Sequence, residues 1–285
     1  MRALSNCLTA LAVIGGIAIG SSEVATSRTS AESAAKRRSA VAFDYLVLFN
    51  PDSVVDVVDR VVPGKGREFT NLWRTRQFEY CWLRSMTHRY VDFSVITEDA
   101  LMYTANAMHV LMTPSQKREL LDAYLNLTPW PDTSAALRQL RESRVRVITL
   151  ANFSPSMLRS NAEHAGLRSL FDDLVSTDAN QSYKPDPRAY QLGVDRLQLP
   201  KDEIVFAAFG GWDAAGAKSF GYPTVWVNRS HQVSEELDAQ PDLTVSDLNG
   251  LVDFVLGVSA AGRSTRKTTP ADARGRRFGF VRAER

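Results

Sequence analysis

The chain has 285 residues, 44% hydrophobic and 23% charged, a globular composition that excludes a fibrous or wholly disordered protein and can fill one large core or two modest ones. The net charge of +2 hides an asymmetry: residues 258–285 carry eight Lys/Arg against Asp272 and Glu284, so that tail is +6 and the remainder −4. Cysteine is scarce, with only Cys7 and Cys81, which excludes a disulfide framework.

Residues 1–22 place Arg2 ahead of a run of apolar or small residues, Leu8–Ile19, the pattern of a secretory signal peptide. The run is short for a membrane helix, which needs ~20 apolar residues, so no span is expected in the mature chain. A working signal would make the protein secreted or periplasmic; without one it would stay in the cytoplasm. Residues 23–40 read as a linker. The first strand is Val41–Phe43, and it runs into Asp44 with Tyr45, Leu46, Val47, Leu48 and Phe49 following. Buried carboxylates are rare unless paired or functional, so Asp44 is the first candidate for chemistry.

A helix is predicted over Asp52–Val62. Apolar residues then recur at helical spacing through Arg67–Tyr90, at Phe69, Leu72, Trp73, Phe78, Trp82 and Met86. Thr97–Leu111 and Ser115–Asn126 follow as helices, which makes 55–130 an all-helical block. Beyond Pro129 and Pro131 the pattern alternates: helix Thr133–Glu142, strand Val145–Leu150, helix Met157–Ala165, a short strand within Phe171–Ser176, helix Pro187–Leu197, strand Ile204–Phe209, helix Asp213–Phe220 and strand Thr224–Val227. Alternation of this kind implies a parallel sheet with helices on both faces. The fold class is therefore α/β, a Rossmann-like core of residues 41–54 and 131–257 with an inserted helical subdomain at 55–130. The basic tail 258–285 reads as a solvated extension, and no nucleic-acid partner is expected.

In such sheets functional groups gather beyond the carboxyl ends of the strands. Asp44, Asn152 and Asp213 fall there, and Lys184 lies in a loop of the same scheme. Each has a structural alternative: Asn152 can cap the next helix, Asp213 can be the acid of a first helical turn, and Lys184 can be a solvated loop residue.

The chain from about 41 to 256 resembles the haloacid dehalogenase superfamily, in particular the type II (L-2-haloacid) dehalogenases. The resemblance is carried by FD (43–44), PGKGREFTNLWRTRQFEYCWLRSMTHRYVDF (63–93), TEDAL (97–101), DAYLNL (122–127), NAEHAGLRSLFDDLVSTDANQSYKPDPRAY (161–190), WDAAGAKSFGYPTVWVNR (212–229) and EELDAQPDLTVSDLNGLV (235–252). It implies a hydrolase that takes (S)-2-haloacids to (R)-2-hydroxy acids without a metal or other cofactor. Asp44 would attack the halogen-bearing carbon, and water would hydrolyse the resulting aspartyl ester. Lys184 would sit beside Asp44 and favour its charged form, with Asp213 orienting the lysine and the water. Arg74 would bind halide and substrate carboxylate, Asn152 would help cradle the halide, and Phe93 and Trp212 would be apolar walls, although both residue types are more often core. The resemblance also implies a homodimer through the inserted helices, which would form a cap over the pocket.

The sequence departs from the family in its neutral donors. The family's first loop reads roughly FDAYGTLFD, whereas this chain has FDYLVLFN, with Leu46 and Val47 in place of Gly-Thr. Ala151 replaces a serine before Asn152, and Ala208-Phe209-Gly210 replaces Ser-x-Asn. Supporting donors of this kind can each be worth ~10–1000-fold in rate. A second reading is therefore an impaired or inactive relative kept as a binding or structural protein. A Mg²⁺-dependent phosphatase fits less well, because Leu46 and Phe209 stand where its carboxylates would be.

Overall fold

The computed structural model describes residues 37–258. The predicted signal peptide, the linker up to residue 36, Cys7 and the basic tail from 259 onward lie outside the described residues. Six strands, β1 (Ala40–Phe43), β2 (Arg146–Ala151), β3 (Asp173–Ser176), β4 (Ile204–Ala208), β5 (Thr224–Val227) and β6 (Leu243–Val245), form one sheet in the order β3-β2-β1-β4-β5-β6. Every pair is parallel.

β1 is the centre of this arrangement. Its register pairs Phe43 with Thr149 on one side and with Ala207 on the other. All four of its residues are fully buried, as expected of a strand covered on both faces. Val41 and Phe43 join one apolar cluster, while Ala40 and Ala42 join a second with Tyr190, Phe206 and Tyr222. This alternation follows from the two-residue period of a strand. The strand order reverses between β1 and β4, and that switch point opens a crevice beyond their carboxyl ends.

Strand β1 starts one residue earlier than predicted, and the linker correspondingly ends sooner. Arg38 N–H donates to Val255 O (2.9 Å) and Ser39 N–H to Glu203 O (3.0 Å), which ties this stretch to the core. After Asp44 the apolar run does not continue as strand. It turns into a four-residue helix, α1 (Tyr45–Leu48), whose N-cap is Asp44.

The chain then leaves the sheet layer through a narrow neck. Phe49 and Pro129 form an antiparallel bridge, Asn50 N–H donates to Thr128 O (2.8 Å), and Trp130 N–H donates to Leu48 O (3.0 Å). Between these points lie a 3₁₀ turn (Pro51–Val54), α2 (Val55–Val61), α3 (Gly66–Met86), α4 (Phe93–Ala107) and α5 (Pro114–Ala123). The predicted helix at Asp52–Val62 splits because Asn50 Oδ1 accepts from Asp52 N–H (2.9 Å) and caps the 3₁₀ turn first.

α3 buries Phe69, Trp73, Gln77 and Cys81, a four-residue spacing that keeps one face inward. The buried polar member is satisfied: Gln77 donates to Thr97 Oγ1 (3.1 Å) and accepts from Tyr124 O–H (3.2 Å). α3 ends four residues before the predicted end, where His88 takes a left-handed backbone (φ 54°). α4 is displaced by one turn from prediction. Asp92 caps its start by accepting from Ser94 N–H (2.7 Å), and His109 (φ 55°) lies just past its end.

The remaining helices are α6 (Thr133–Glu142), α7 (Pro155–His164), α8 (Pro187–Leu197), α9 (Gly211–Phe220) and α10 (Leu248–Leu256). Of these, α6 and α8 coincide with prediction. β6 and α10 were not separated by periodicity; α10 starts where Asp247 Oδ1 accepts from Asn249 and Gly250 N–H (2.9 and 3.2 Å). Among the described residues no helix is long and apolar enough to cross a membrane, and Cys81 is a buried free thiol.

Candidate active site

The site starts with Asp44. Its backbone N–H continues the sheet by donating to Ala207 O (2.9 Å), so β4 fixes its position. Its side chain caps α1, with Oδ1 accepting from Leu46 N–H (2.9 Å). Leu46 and Val47 remove the glycine and threonine of the family loop, yet the turn here is helical and has no left-handed residue. Leu46 also keeps a donor on Asp44 through its backbone.

Oδ2 of Asp44 accepts from Lys184 Nζ at 2.7 Å, and the same ammonium donates to Asp213 Oδ2 at 2.7 Å. Lys184 is fully buried, Asp213 is 1% exposed and Asp44 is 15% exposed at the side chain. Burial would lower the Lys184 ammonium, but Asp213 and Asp44 outweigh it and hold its pKa above the usual lysine value. Burial, with Asp44 adding, pushes the Asp213 carboxyl up to about 6 against the pull of Lys184. A carboxylate at that value suits proton transfer near neutral pH.

Two further residues hold this triad. Asn152 Oδ1 accepts from Lys184 N–H (2.9 Å), which fixes the backbone of the loop that delivers the ammonium. Tyr190 O–H donates to Asp213 Oδ1 at 2.7 Å. Gly216 makes that approach possible, since a Cβ there would lie 2.5 Å from the tyrosine oxygen. Sequence reasoning missed Tyr190; its signal was its place in the first turn of α8, six residues after Lys184 in the KPDPRAY stretch.

The triad opens into a cavity of about 410 Å³ whose lining includes Asp44, Asp213, Arg74, Trp212, Leu46 and Phe209. Leu46 and Phe209 face this space without filling it. Trp212 packs on Phe78 (5.4 Å) and Trp82 (5.5 Å) of α3, so it joins the two sides. Its indole lies against Gly210, where a Cβ would approach Nε1 to 2.7 Å. The residue that departs from the family's asparagine therefore makes room for the tryptophan.

Arg74 reaches the cavity from α3, but it is paired. Its Nη1 donates to Asp52 Oδ1 (2.7 Å) and its Nη2 to Asn71 Oδ1 (3.1 Å). Asp52, another lining residue that sequence reasoning missed, also accepts from Arg67 Nη1 (3.0 Å). Burial would raise the Asp52 carboxyl, but Arg74 and Arg67 hold it below the ordinary value, so it is ionised at neutral pH.

Two predicted pocket residues are placed elsewhere. Phe93 opens α4, is 2% exposed, stacks on Phe153 at 5.0 Å and is not among the residues lining this cavity. Asn152 is buried and does not line the cavity either. Its side-chain oxygen serves the lysine loop by accepting from Lys184 N–H. Among the described residues no group of three or more His, Cys, Asp or Glu is arranged to hold a metal ion.

A doubly wound parallel sheet, with an aspartate at the end of its central strand and a buried lysine bridging it to a second aspartate, defines a Rossmann-like α/β protein with a charged site at the switch point of its sheet. Residues 34–221 match the haloacid dehalogenase-like hydrolases, and the chain belongs to that family. It is 42% identical over 227 residues to the (S)-2-haloacid dehalogenase of Pseudomonas sp. (strain YL), covering 79% of this chain and 97% of the relative. It is 37% identical over 221 residues to haloacetate dehalogenase H-2 of Moraxella sp. (strain B), covering 77% and 99%. Among solved structures, the L-2-haloacid dehalogenase of Xanthobacter autotrophicus with chloropropionic acid covalently bound superposes with a TM-score of 0.73 at 32% identity, covering 78% of this chain and all of that one.

Proposed function

We propose that this chain hydrolyses 2-haloalkanoic acids, converting (S)-2-haloacids to (R)-2-hydroxy acids and halide. The observation that carries the reading is Lys184 Nζ held 2.7 Å from both Asp44 and Asp213 at the base of the cavity. The relatives' activities support it.

In this reading an Asp44 carboxylate oxygen attacks C2 of the substrate from the side opposite the halogen. A C–O bond forms, the carbon–halogen bond breaks, and halide leaves with the bonding pair as C2 inverts. Lys184 offsets charge on Asp44 and holds it in line. Water then adds to the Asp44 carboxyl carbon, and the ester breaks on its acyl side, so the product keeps an Asp44 oxygen. Asp213, ionised above about pH 6, is the group placed to take the water's proton. Trp212, Phe209 and Leu46 line the space with apolar surface, which limits competing water. Arg74 is the cation available to the substrate carboxylate and the departing halide.

The test is chloride release from L- and D-2-chloropropionate by the full chain and by Asp44→Asn. The expected result is release from the L isomer alone, lost in Asp44→Asn. A folded wild-type protein that releases no more chloride than the variant would favour the inactive-relative reading, to which the missing neutral donors point.

A further inference from the structure

The charges that border the cavity do not favour an anion. Asp44, Asp52, Asp213 and Glu235 line it, against Arg74 and the Lys184 ammonium behind the two catalytic carboxylates. Asp44 and Asp213 are committed to Lys184, and Glu235 is exposed. Asp52 is different, because it pairs with Arg74, the only Lys or Arg among the described residues that lines the cavity.

The geometry supports this. Asp52 sits in the 3₁₀ turn next to the neck, with its N–H fixed by Asn50. Its Oδ1 is 2.7 Å from Arg74 Nη1, and Asn71 takes Nη2. Two of the three guanidinium nitrogens are therefore engaged before a ligand arrives. The pair is only partly buried, with side chains 22% and 37% exposed. It can open, and an entering carboxylate shares the guanidinium with a ligand of the same charge and shape. Arg67, on the outer side of Asp52, is 65% exposed and outside the cavity lining.

We infer that Asp52 is a specificity-determining residue that competes with the substrate carboxylate for Arg74, weakening carboxylate recognition relative to uncharged analogues. The inference rests on the reading of Arg74 as the carboxylate-binding cation of the proposed site. Its chemistry is exchange of one carboxylate for another on a guanidinium, and removal of the Asp52 charge should strengthen binding of anions alone.

The experiment measures binding, so that it does not depend on turnover. Trp130 and Trp212 line the cavity, and their fluorescence reports titration with L-lactate and with its neutral counterpart L-lactamide. The full-length wild type, Asp52→Asn, Arg74→Gln and the double variant are compared, with thermal unfolding confirming that each is folded. Asp52→Asn keeps the shape and one acceptor for Arg74 while removing the charge. The expected result is lactate binding about tenfold tighter in Asp52→Asn, on the scale of one partly screened charge, with lactamide unchanged. In the Arg74→Gln background the same substitution should bring no gain. Lactate binding that is unchanged, weaker or absent in Asp52→Asn overturns the inference, as does an equal gain for lactamide or a gain that survives Arg74→Gln. A lactate gain in a protein that releases no halide from L-2-chloropropionate would overturn the dehalogenase reading and leave this one standing.

Discussion

Two ion-pair systems border the cavity, one on the sheet and one on the inserted helices. On the sheet side, Lys184 lies between Asp44 and Asp213 with side chains 0%, 15% and 1% exposed. Each member is held by further hydrogen bonds: Asp44 by Ala207 and Leu46 backbone, the Lys184 backbone by Asn152 Oδ1, and Asp213 by the Tyr190 hydroxyl. On the helical side, Arg74 and Asp52 are held mainly by each other and by Arg67 and Asn71, in partial contact with solvent. Three buried charges in a fixed frame are costly to alter, whereas a half-exposed pair rearranges cheaply. Substitutions at Asp52 and Arg74 should therefore cost the fold less than substitutions at Asp44, Lys184 or Asp213.

The largest expected effect comes from the sheet side. Asp44→Asn removes the nucleophile and should lower chloride release from L-2-chloropropionate at least ~10³-fold, with the fold intact by circular dichroism. Lys184→Met should rank next. It leaves two carboxylates together without their cation, and loss of one partner of a buried pair costs about 3–5 kcal/mol, measurable by urea unfolding at pH 7. A loss below about 1 kcal/mol, the scale of exposed pairs, would dissolve the distinction between the two sides.

A smaller effect concerns proton balance. Asp213 titrates near 6 in the folded protein against an ordinary 3.8. The folded state binds this proton more tightly than the unfolded chain, so stability is lost as pH rises through that window, and Asp213→Asn should flatten the loss. Activity runs the other way and should fall below about pH 6 as Asp213 is protonated. The Tyr190 hydrogen bond favours the ionised form, so Tyr190→Phe should move the acid limb of kcat/KM upward. An unmoved limb would separate Asp213 from the chemistry. The smallest effect is the control: Arg60–Glu119 is an exposed pair, 63% and 45%, and Glu119→Gln should change stability by less than about 0.5 kcal/mol.

The sheet side was the more legible in sequence. Continuous β-branched and apolar runs locate the five strands from β1 to β5, the strand-end rule marks Asp44 and Asp213, and the family resemblance adds Lys184, which bridges the two acids. The helical side was read in outline only. Periodicity finds a helical face but not its ends, so α4 was misplaced by one turn until the Asp92 cap fixed it. An aromatic residue at a helix start does not reveal from sequence whether it faces a pocket or, as Phe93 does, stacks on Phe153. Asn152 lies at a strand end, but its hydrogen bond goes to a backbone 32 residues away, which no local spacing encodes. Asp52 escaped notice because its partner is a helix away, and charge pairing across a neck has no sequence period.

The central claim is that Asp44 is the nucleophile in this frame. A single turnover of L-2-chloropropionate in H₂¹⁸O, with substoichiometric substrate, tests it most directly by mass spectrometry of lactate and of the peptide containing Asp44. Lactate with unlabelled hydroxyl and ¹⁸O in the Asp44 peptide is the result the account predicts, because water attacks the aspartyl carbon. Label in the lactate hydroxyl and none at Asp44 would mean direct attack by water on the substrate, and would contradict it.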